Sequence, residues 1–215
     1  MAEIDWGEAR RYLGLHRPGG EVDGALEAAL ERWGAAVTAA ARPRALWRRF
    51  PLALGEERVS LAGMEIHSAH LRRHLDGCGA AFLFAATLGP EVDRLTRRAA
   101  LTEVSGAAIC QACAASLLEA YCDECCARMA EEVREEGLSL RRRFSPGYGD
   151  FSIRFQRPLL DALEAPKRIG LAATEAMMLT PTKSVTAVVG LSPEPDCRPG
   201  GCAACGKADC AYRRP

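Results

Sequence analysis

The strongest constraint on the fold is a nearly continuous apolar run, Ala80–Thr87, with the sequence AAFLFAAT. None of these side chains is charged, so the segment belongs in the interior of the protein. Its length suits a buried strand or the start of a buried helix, and periodicity alone does not separate the two. Gly89-Pro90 breaks the chain directly afterwards. Because 48% of the 215 residues are hydrophobic, the chain can enclose such a segment in a sizeable core.

Apolar residues at helical spacing, together with caps and breakers, divide the rest of the chain into helices and strands. The predicted helices are Ile4–Leu15, Val22–Ala41, Ser68–Leu75 with Ser68 as N-cap, a helix from Gly89-Pro90 to about Leu101, Ser105–Glu135 and Phe155–Leu163. The predicted strands are Leu46–Leu52, Arg58–Ile66, Leu171–Leu179 and Ser184–Leu191. Segregated helices and a few antiparallel strands, without regular βαβ alternation, indicate an α+β fold.

The composition of the chain changes at Ser192. Pro, Gly and Cys dominate from there to the end, and such a tail builds no apolar core of its own. We therefore predict one domain over residues 1–191 and a Cys-rich tail over residues 192–215.

Charge and hydropathy exclude several classes of partner. The 28 Lys and Arg residues balance the 28 Asp and Glu residues, so nothing favours a nucleic-acid partner. No run of the sequence is expected to span a bilayer, and the N-terminus lacks the apolar core of a secretion signal. The expected location is the cytoplasm, with no membrane partner. Cysteines are mostly reduced there, so a tight cysteine cluster indicates metal binding or redox chemistry.

The most unusual segment of the chain is Arg143-Phe144-Ser145-Pro146-Gly147-Tyr148-Gly149-Asp150. Pro146 fixes one backbone dihedral, and the two glycines let a ligand approach the main chain closely. The guanidinium of Arg143 is a rigid fork that suits a carboxylate. The segment is a candidate cradle for a small molecule. A Pro-Gly turn with a surface Tyr and a surface Arg explains the same residues.

The Arg-x-x-Pro-Gly-Tyr pattern resembles the motif of the activation domain of cobalamin-dependent methionine synthase. The segment LAATEAMMLTPTKSVTAVVG (residues 171–190) resembles the part of that family that follows the motif. Glu119-Ala120-Tyr121 resembles the Glu-Ala-Phe that precedes it, and FAATLG (residues 84–89) resembles stand-alone forms from anaerobic bacteria. Ile4-Asp5-Trp6 also resembles a family tripeptide. These segments occur in the family's order.

The resemblance implies an α+β, C-shaped single domain with a small antiparallel sheet flanked by helices, followed by the Cys-rich tail. It implies an accessory role in methionine biosynthesis, as part of a methyltransferase system rather than as a complete enzyme. In that role, corrinoid that has fallen to inactive Co(II) is reduced by one electron and then methylated by S-adenosylmethionine. The activation domain binds S-adenosylmethionine and covers the corrin during this step.

Roles for individual residues follow from the same resemblance. Arg143 is expected to bind the carboxylate of S-adenosylmethionine, and Glu119 and Asp5 its ammonium or ribose region. The backbone around Ser145 and Gly147 is expected to contact the ligand. Tyr148 is expected close to the cobalt face, as the candidate catalytic residue.

The chain departs from the family's pattern in three respects. Gly149-Asp150-Phe151-Ser152 stands where full-length synthases carry Pro-Ala-Cys-Pro, and the family's Tyr pair after the last strand has no match. Methyltransferase and cobalamin-binding modules are missing from the sequence. The cobalamin is therefore expected on a separate protein, a corrinoid-binding methionine synthase without its own activation domain. A flavodoxin or a ferredoxin is the expected electron donor.

Four cysteines in the tail, Cys197, Cys202, Cys205 and Cys210, follow the pattern C-x4-C-x2-C-x4-C. Four thiolates so close together can surround one tetrahedral metal. Zinc would staple a tail that has no core. An iron–sulfur cluster would supply the electron that makes Co(I), in an alternative module that docks on corrinoid proteins without binding S-adenosylmethionine. Free thiols, disulfides and a zinc-stapled scaffold without catalysis are the remaining interpretations.

Other candidate metal or partner sites have plainer explanations. Five cysteines on the long helix (Cys110, Cys113, Cys122, Cys125 and Cys126) are interpreted as small buried hydrophobic residues. His67, His70 and His74 have helix-like spacing but no fitting acidic or thiol neighbour, so a solvated or partly buried face is favoured. Arg141 and Arg142 either steer an acidic partner or form a solvated face.

Overall fold

The structure of this protein is a computed structural model that describes residues 2–15 and 24–193. Its helices are α1 (Trp6–Tyr12), α2 (Gly24–Ala40), α3 (Ala69–His74), α4 (Pro90–Thr102), α5 (Val104–Arg134), α6 (Gln156–Ala162) and α7 (Ala165–Ile169). Its strands are β1 (Arg44–Leu54), β2 (Arg58–Leu61), β3 (Met64–His67), β4 (Ala80–Thr87), β5 (Ser139–Leu140), β6 (Ala172–Ala173), β7 (Leu179–Thr180) and β8 (Ser184–Ser192). A short 3₁₀ helix, Ile153–Phe155, precedes α6.

The chain forms two compact units. The first contains the described residues up to Ala41 together with Glu91–Tyr121. The second contains Arg42–Pro90 and the described residues from Cys122 onwards. In the part of the chain that the structure describes, the first unit is helical and the second holds all eight strands.

The second unit is built on a six-stranded sheet in the order β3-β2-β1-β4-β8-β5, in which every neighbouring pair is antiparallel. The apolar run Ala80–Thr87 is β4, and all eight of its residues are buried. It pairs with β1 along one edge and with β8 along the other. A strand in the centre of the sheet with both faces covered needs apolar residues at every position, which explains the run.

One face of this sheet packs on α3, α6 and α7. The sheet contributes aliphatic residues such as Leu61, Ile66 and Val188, and the helices contribute Leu71, Leu159 and Ile169. Phe151, which directly follows the Arg143–Asp150 segment, is part of the same core and is 1% exposed. The predicted α+β fold, with an antiparallel sheet flanked by helices, is confirmed.

The prediction of single strands was wrong at two places. Arg58–Ile66 is a hairpin of β2 and β3, because Ala62 (φ 52°) and Gly63 (φ 76°) form a two-residue turn with left-handed backbone. Leu171–Leu179 contains β6 and the first residue of β7, two-residue strands that pair with each other around a turn. In that turn the backbone N–H of Thr174 donates to the carbonyl of Met178 (2.8 Å).

The helices of the first unit pack closely at two glycines. A Cβ atom on Gly34 would lie 2.4 Å from the ring of Trp6, and one on Gly106 would lie 2.6 Å from Trp33. Trp33 also carries a buried indole N–H with no hydrogen-bond partner among residues 2–15 and 24–193. Both glycines therefore make room for a Trp ring from another helix of the unit.

Helix α5 corrects the expectation that no segment could span a bilayer. By length and composition, Val104–Arg134 is apolar enough to cross a membrane, and half of its most apolar window is buried inside the protein. The core helix of a soluble domain has the same properties. This single helix is therefore weak evidence for a membrane span.

Candidate functional site

The Arg143–Asp150 segment, the central segment, begins as an extension of the sheet beside β8. Strand β5 pairs with the end of β8, and the N–H of Arg141 donates to the carbonyl of Gly190 (2.8 Å). Phe144 and Val188 exchange two backbone hydrogen bonds of 2.9 Å each. The chain leaves the sheet at Ser145, so the residues of the motif start from a rigid edge.

A compact loop follows, from Ser145 to Phe151. The N–H of Tyr148 donates to the carbonyl of Ser145 (3.0 Å), and the N–H of Phe151 donates to the carbonyl of Tyr148 (2.9 Å). The N–H of Gly147 closes the loop by donating to the carbonyl of Phe151 (2.7 Å). Gly147 has a φ of 96°, which residues with a side chain rarely adopt.

Aromatic rings pack against one side of the loop, and the Tyr148 ring lies at the protein surface. The ring of Phe144 lies 6.3 Å from that of Phe151, 6.1 Å from that of Tyr148 and 5.0 Å from that of His74. These distances suit stabilising ring contacts. Phe151 is buried, whereas Tyr148 is 59% exposed. The loop therefore presents the Tyr148 ring to solvent over an apolar base.

Arg143 is bound to the second-unit part of α5. Its Nη1 lies 2.9 Å from Oδ1 of Asp123 and 3.7 Å from Sγ of Cys126. The Arg143 side chain is 19% exposed and that of Asp123 is 74% exposed. The guanidinium is thus held by an ion pair at the protein surface while part of it stays accessible.

Sequence reasoning missed Asp150 as a site residue. Its carboxylate accepts hydrogen bonds from the Ser68 hydroxyl, from the N–H of Ala69 (2.8 Å) and from the N–H of His70 (3.2 Å). Ser68 in turn caps α3, as predicted, by accepting from the N–H of Leu71 (3.0 Å). The Ser68 hydroxyl and the backbone N–H groups of His70 and Ala69 hold the pKa of the Asp150 carboxyl below its usual range.

Asp5 and Glu119, the other predicted ligand contacts, belong to the first unit. Asp5 is the N-cap of α1, and its Oδ1 accepts from the N–H of Glu8 (3.0 Å). The Ser116 hydroxyl donates to the carbonyl of Asp5 (2.8 Å). Ser116 and Glu119 lie one helical turn apart on α5. The Asp5 segment therefore contacts the face of α5 that carries Glu119.

The remaining candidates divide among structural roles. Within residues 2–15 and 24–193, no three His, Cys, Asp or Glu side chains converge on a metal position. Four helix cysteines are buried, as expected, and Cys126 is half-buried. His74 bonds the carbonyl of Arg142 through Nε2 (2.8 Å), whereas His67 pairs with Arg58 in the β2–β3 hairpin. The predicted tail ligands Cys197, Cys202, Cys205 and Cys210 lie outside the described residues.

Arg141 is not available to steer a partner. It is 8% exposed, and its Nη2 donates to the carbonyl of Asp76 and to the Ser192 hydroxyl, both at 3.3 Å. Arg142, by contrast, is exposed. The steering interpretation therefore fails for Arg141.

Comparison with solved structures identifies the architecture. The crystal structure of the MetH reactivation domain bound to AdoHcy superimposes with a TM-score of 0.65, over 92% of this chain and 76% of the other. This chain has the fold of the MetH reactivation domain. The sequences are 18% identical, so the likeness establishes the fold alone. No family model matches the sequence, and no curated protein matches it significantly.

Proposed function

We propose that this protein is an accessory factor for reductive activation of a cobalamin-dependent methyltransferase. The observation that supports the proposal best is the position of the motif. A chain with the fold of the MetH reactivation domain carries the Arg-x-x-Pro-Gly-Tyr pattern on a braced loop at the edge of its sheet. The solved neighbour binds AdoHcy, the demethylated form of S-adenosylmethionine. S-adenosylmethionine is the ligand that we propose for this site.

In this proposal, Arg143 binds the carboxylate of S-adenosylmethionine. A guanidinium meets a carboxylate with parallel hydrogen bonds, and Asp123 already holds Nη1 in one orientation. An Arg side chain that is held in place loses less conformational freedom when the ligand arrives. Backbone groups of Ser145 and Gly147 complete the cradle.

The reaction asks the protein for positioning rather than for covalent chemistry. The ligand's sulfonium methyl group is transferred to reduced corrinoid carried by a partner protein, and AdoHcy leaves. Tyr148, exposed above its apolar base, is the side chain that we propose to face the corrinoid. Its ring would exclude water from the contact. A flavodoxin or a ferredoxin remains the proposed electron donor.

Calorimetric titration of anaerobically prepared protein with S-adenosylmethionine tests the proposal. We expect saturable binding that weakens by at least about tenfold in Arg143→Ala, because hydrogen bonds to charged groups contribute roughly 1.5–3 kcal/mol. Arg142→Ala is the matched control, since Arg142 is the adjacent, exposed arginine, and it should bind as the wild type does. A folded wild-type protein that binds no S-adenosylmethionine would refute the ligand assignment. Equal affinity of the two variants would refute the role of Arg143.

A further inference from the structure

We infer that Asp150 is a positioning residue, which ties the Tyr148 loop to the start of α3 and thereby sets where the Tyr148 ring stands. The expected effect of Asp150 on ligand affinity rests on the proposed function. Its geometric part, the placement of the loop, stands on hydrogen bonds and packing.

The carboxylate of Asp150 joins two parts of the chain that are far apart in sequence. It takes hydrogen bonds from Ser68, Ala69 and His70, 80 to 82 residues earlier. Hydrogen bonds to an ionised acceptor are roughly twice as strong as neutral ones. Three such bonds therefore fasten the loop two residues after Tyr148.

The neighbouring glycine permits this close approach. Gly149 has a φ of 55°, and a Cβ atom there would lie 2.2 Å from Nδ1 of His70. A side chain at position 149 would therefore displace either the loop or the His70 ring, and the backbone there favours glycine in any case. Gly149 and Asp150 act together: the first allows contact with α3, and the second bonds to it.

The other end of the loop is fixed independently. Phe144 is bonded to Val188 in the sheet, and Tyr148 lies between this anchor and Asp150. The Tyr148 ring itself is mostly exposed, and among the described residues its one ring contact is a T-shaped arrangement with Phe144. Its position consequently depends on how firmly the backbone is held on both sides.

Hydrogen exchange measured by mass spectrometry, combined with calorimetry, tests the inference in the full chain. In Asp150→Ala we expect the amides of Gly147 and Phe151, which close the loop, to exchange at least about tenfold faster. Amides of β4 should keep their wild-type protection. We also expect the affinity for S-adenosylmethionine to fall by about tenfold, a loss comparable to that of one charge-assisted hydrogen bond.

Two further variants keep the test decisive. Asp150→Asn retains the shape and one acceptor oxygen, so it should recover part of the lost amide protection and part of the lost affinity. It replaces Asp150→Ala in the test if that variant does not fold. Asp161→Ala removes an exposed carboxylate elsewhere in the same unit and should change neither the amide exchange of the loop nor the affinity for S-adenosylmethionine. A loop that exchanges at the wild-type rate in Asp150→Ala would overturn the inference. Faster exchange with unchanged affinity would also overturn it, because Asp150 would then serve local stability alone.

The two proposals fail in different ways. If the wild type binds no S-adenosylmethionine, the proposed function fails whatever Asp150 does. The exchange rates of Gly147 and Phe151 then decide on their own whether Asp150 holds the Tyr148 loop.

Discussion

At the scale of single residues, the site consists of charged groups that already have protein partners. Arg143 pairs with Asp123, and Asp150 takes three donors from the start of α3. An ion pair at the surface contributes only about 0–1 kcal/mol. The Arg143–Asp123 contact therefore orients the guanidinium more than it stabilises the fold.

Cys110 and Cys113 should be inert thiols in the folded protein. Burial raises the pKa of each from 9.0 to about 11, with a further contribution from Glu103 for Cys110 and from Cys110 for Cys113. The folded-state pKa of both thiols lies above the unfolded value, so the protonated thiols contribute to the free energy of unfolding. This contribution is complete below pH 9.0 and is lost as the pH rises towards about 11.

Alkylation with iodoacetamide at about pH 8, followed by peptide mapping, checks this, since only the thiolate reacts. We expect Cys110 and Cys113 to react only after unfolding in denaturant, and the half-buried Cys126 to react earlier. Modification of Cys110 in the folded protein as fast as that of Cys126 would contradict the prediction.

At the scale of elements, β8 depends on a position without a side chain. A Cβ atom on Gly190 would lie 2.7 Å from Sγ of Cys78 and 2.7 Å from the Leu75 side chain. We expect Gly190→Ala to lower the free energy of unfolding by about 1–3 kcal/mol, the usual cost of overpacking a core.

Denaturant unfolding of two variants measures this effect. Gly79→Ala is the matched control, because the space around Gly79 is open and its backbone is compatible with alanine. The control should stay within about 0.5 kcal/mol of the wild type. Equal stability of both variants would show that the core around Cys78 relaxes without cost.

The hairpin β2–β3 and the turn between β6 and β7 show where patterns of hydrophobicity mislead at the element scale. Within Arg58–Ile66 the alternation shifts by one residue between Leu61 and Met64, where Ala62 and Gly63 adopt left-handed backbone and reverse the chain. In the β6–β7 turn, Met177 has a φ of 61°, an uncommon conformation for a residue with a side chain. The phase shift at Ala62-Gly63 is a sequence signal that a single-strand prediction overlooks, whereas no change of hydrophobic pattern marks the backbone of Met177.

At the scale of the whole molecule, the proposed division is a domain over residues 1–191 with a metal-binding tail over residues 192–215. We expect the full chain, prepared anaerobically, to carry about one zinc ion or one iron–sulfur cluster. Elemental analysis and the visible spectrum distinguish the two, since zinc is colourless. The double variant Cys202→Ser/Cys205→Ser should lose the metal, and Cys126→Ser, on α5, should keep it. Metal-free wild-type protein would refute the prediction.

The sequence alone determined the parts of the fold that depend on local composition. The bounds of Ala80–Thr87 hold without change for β4, because a nearly continuous apolar segment belongs where both faces are covered. The sequence left open whether this buried segment is a strand or the start of a helix. The N-cap at Ser68 and the stop at Gly89-Pro90 also hold, since capping and breaking act within a few residues. The resemblance of the central motif agrees with a fold that was found independently of it.

Only the tertiary structure decided which distant residues meet. The bond between Ser68 and Asp150 spans 82 residues, and neither residue carries a local signal for the other. The same holds for Trp47, whose indole N–H donates to Glu132, 85 residues away (3.0 Å). Charged and polar side chains find partners through the packing of the elements that carry them. The sequence therefore identifies the Tyr148 segment, while the folded chain determines what holds it in place.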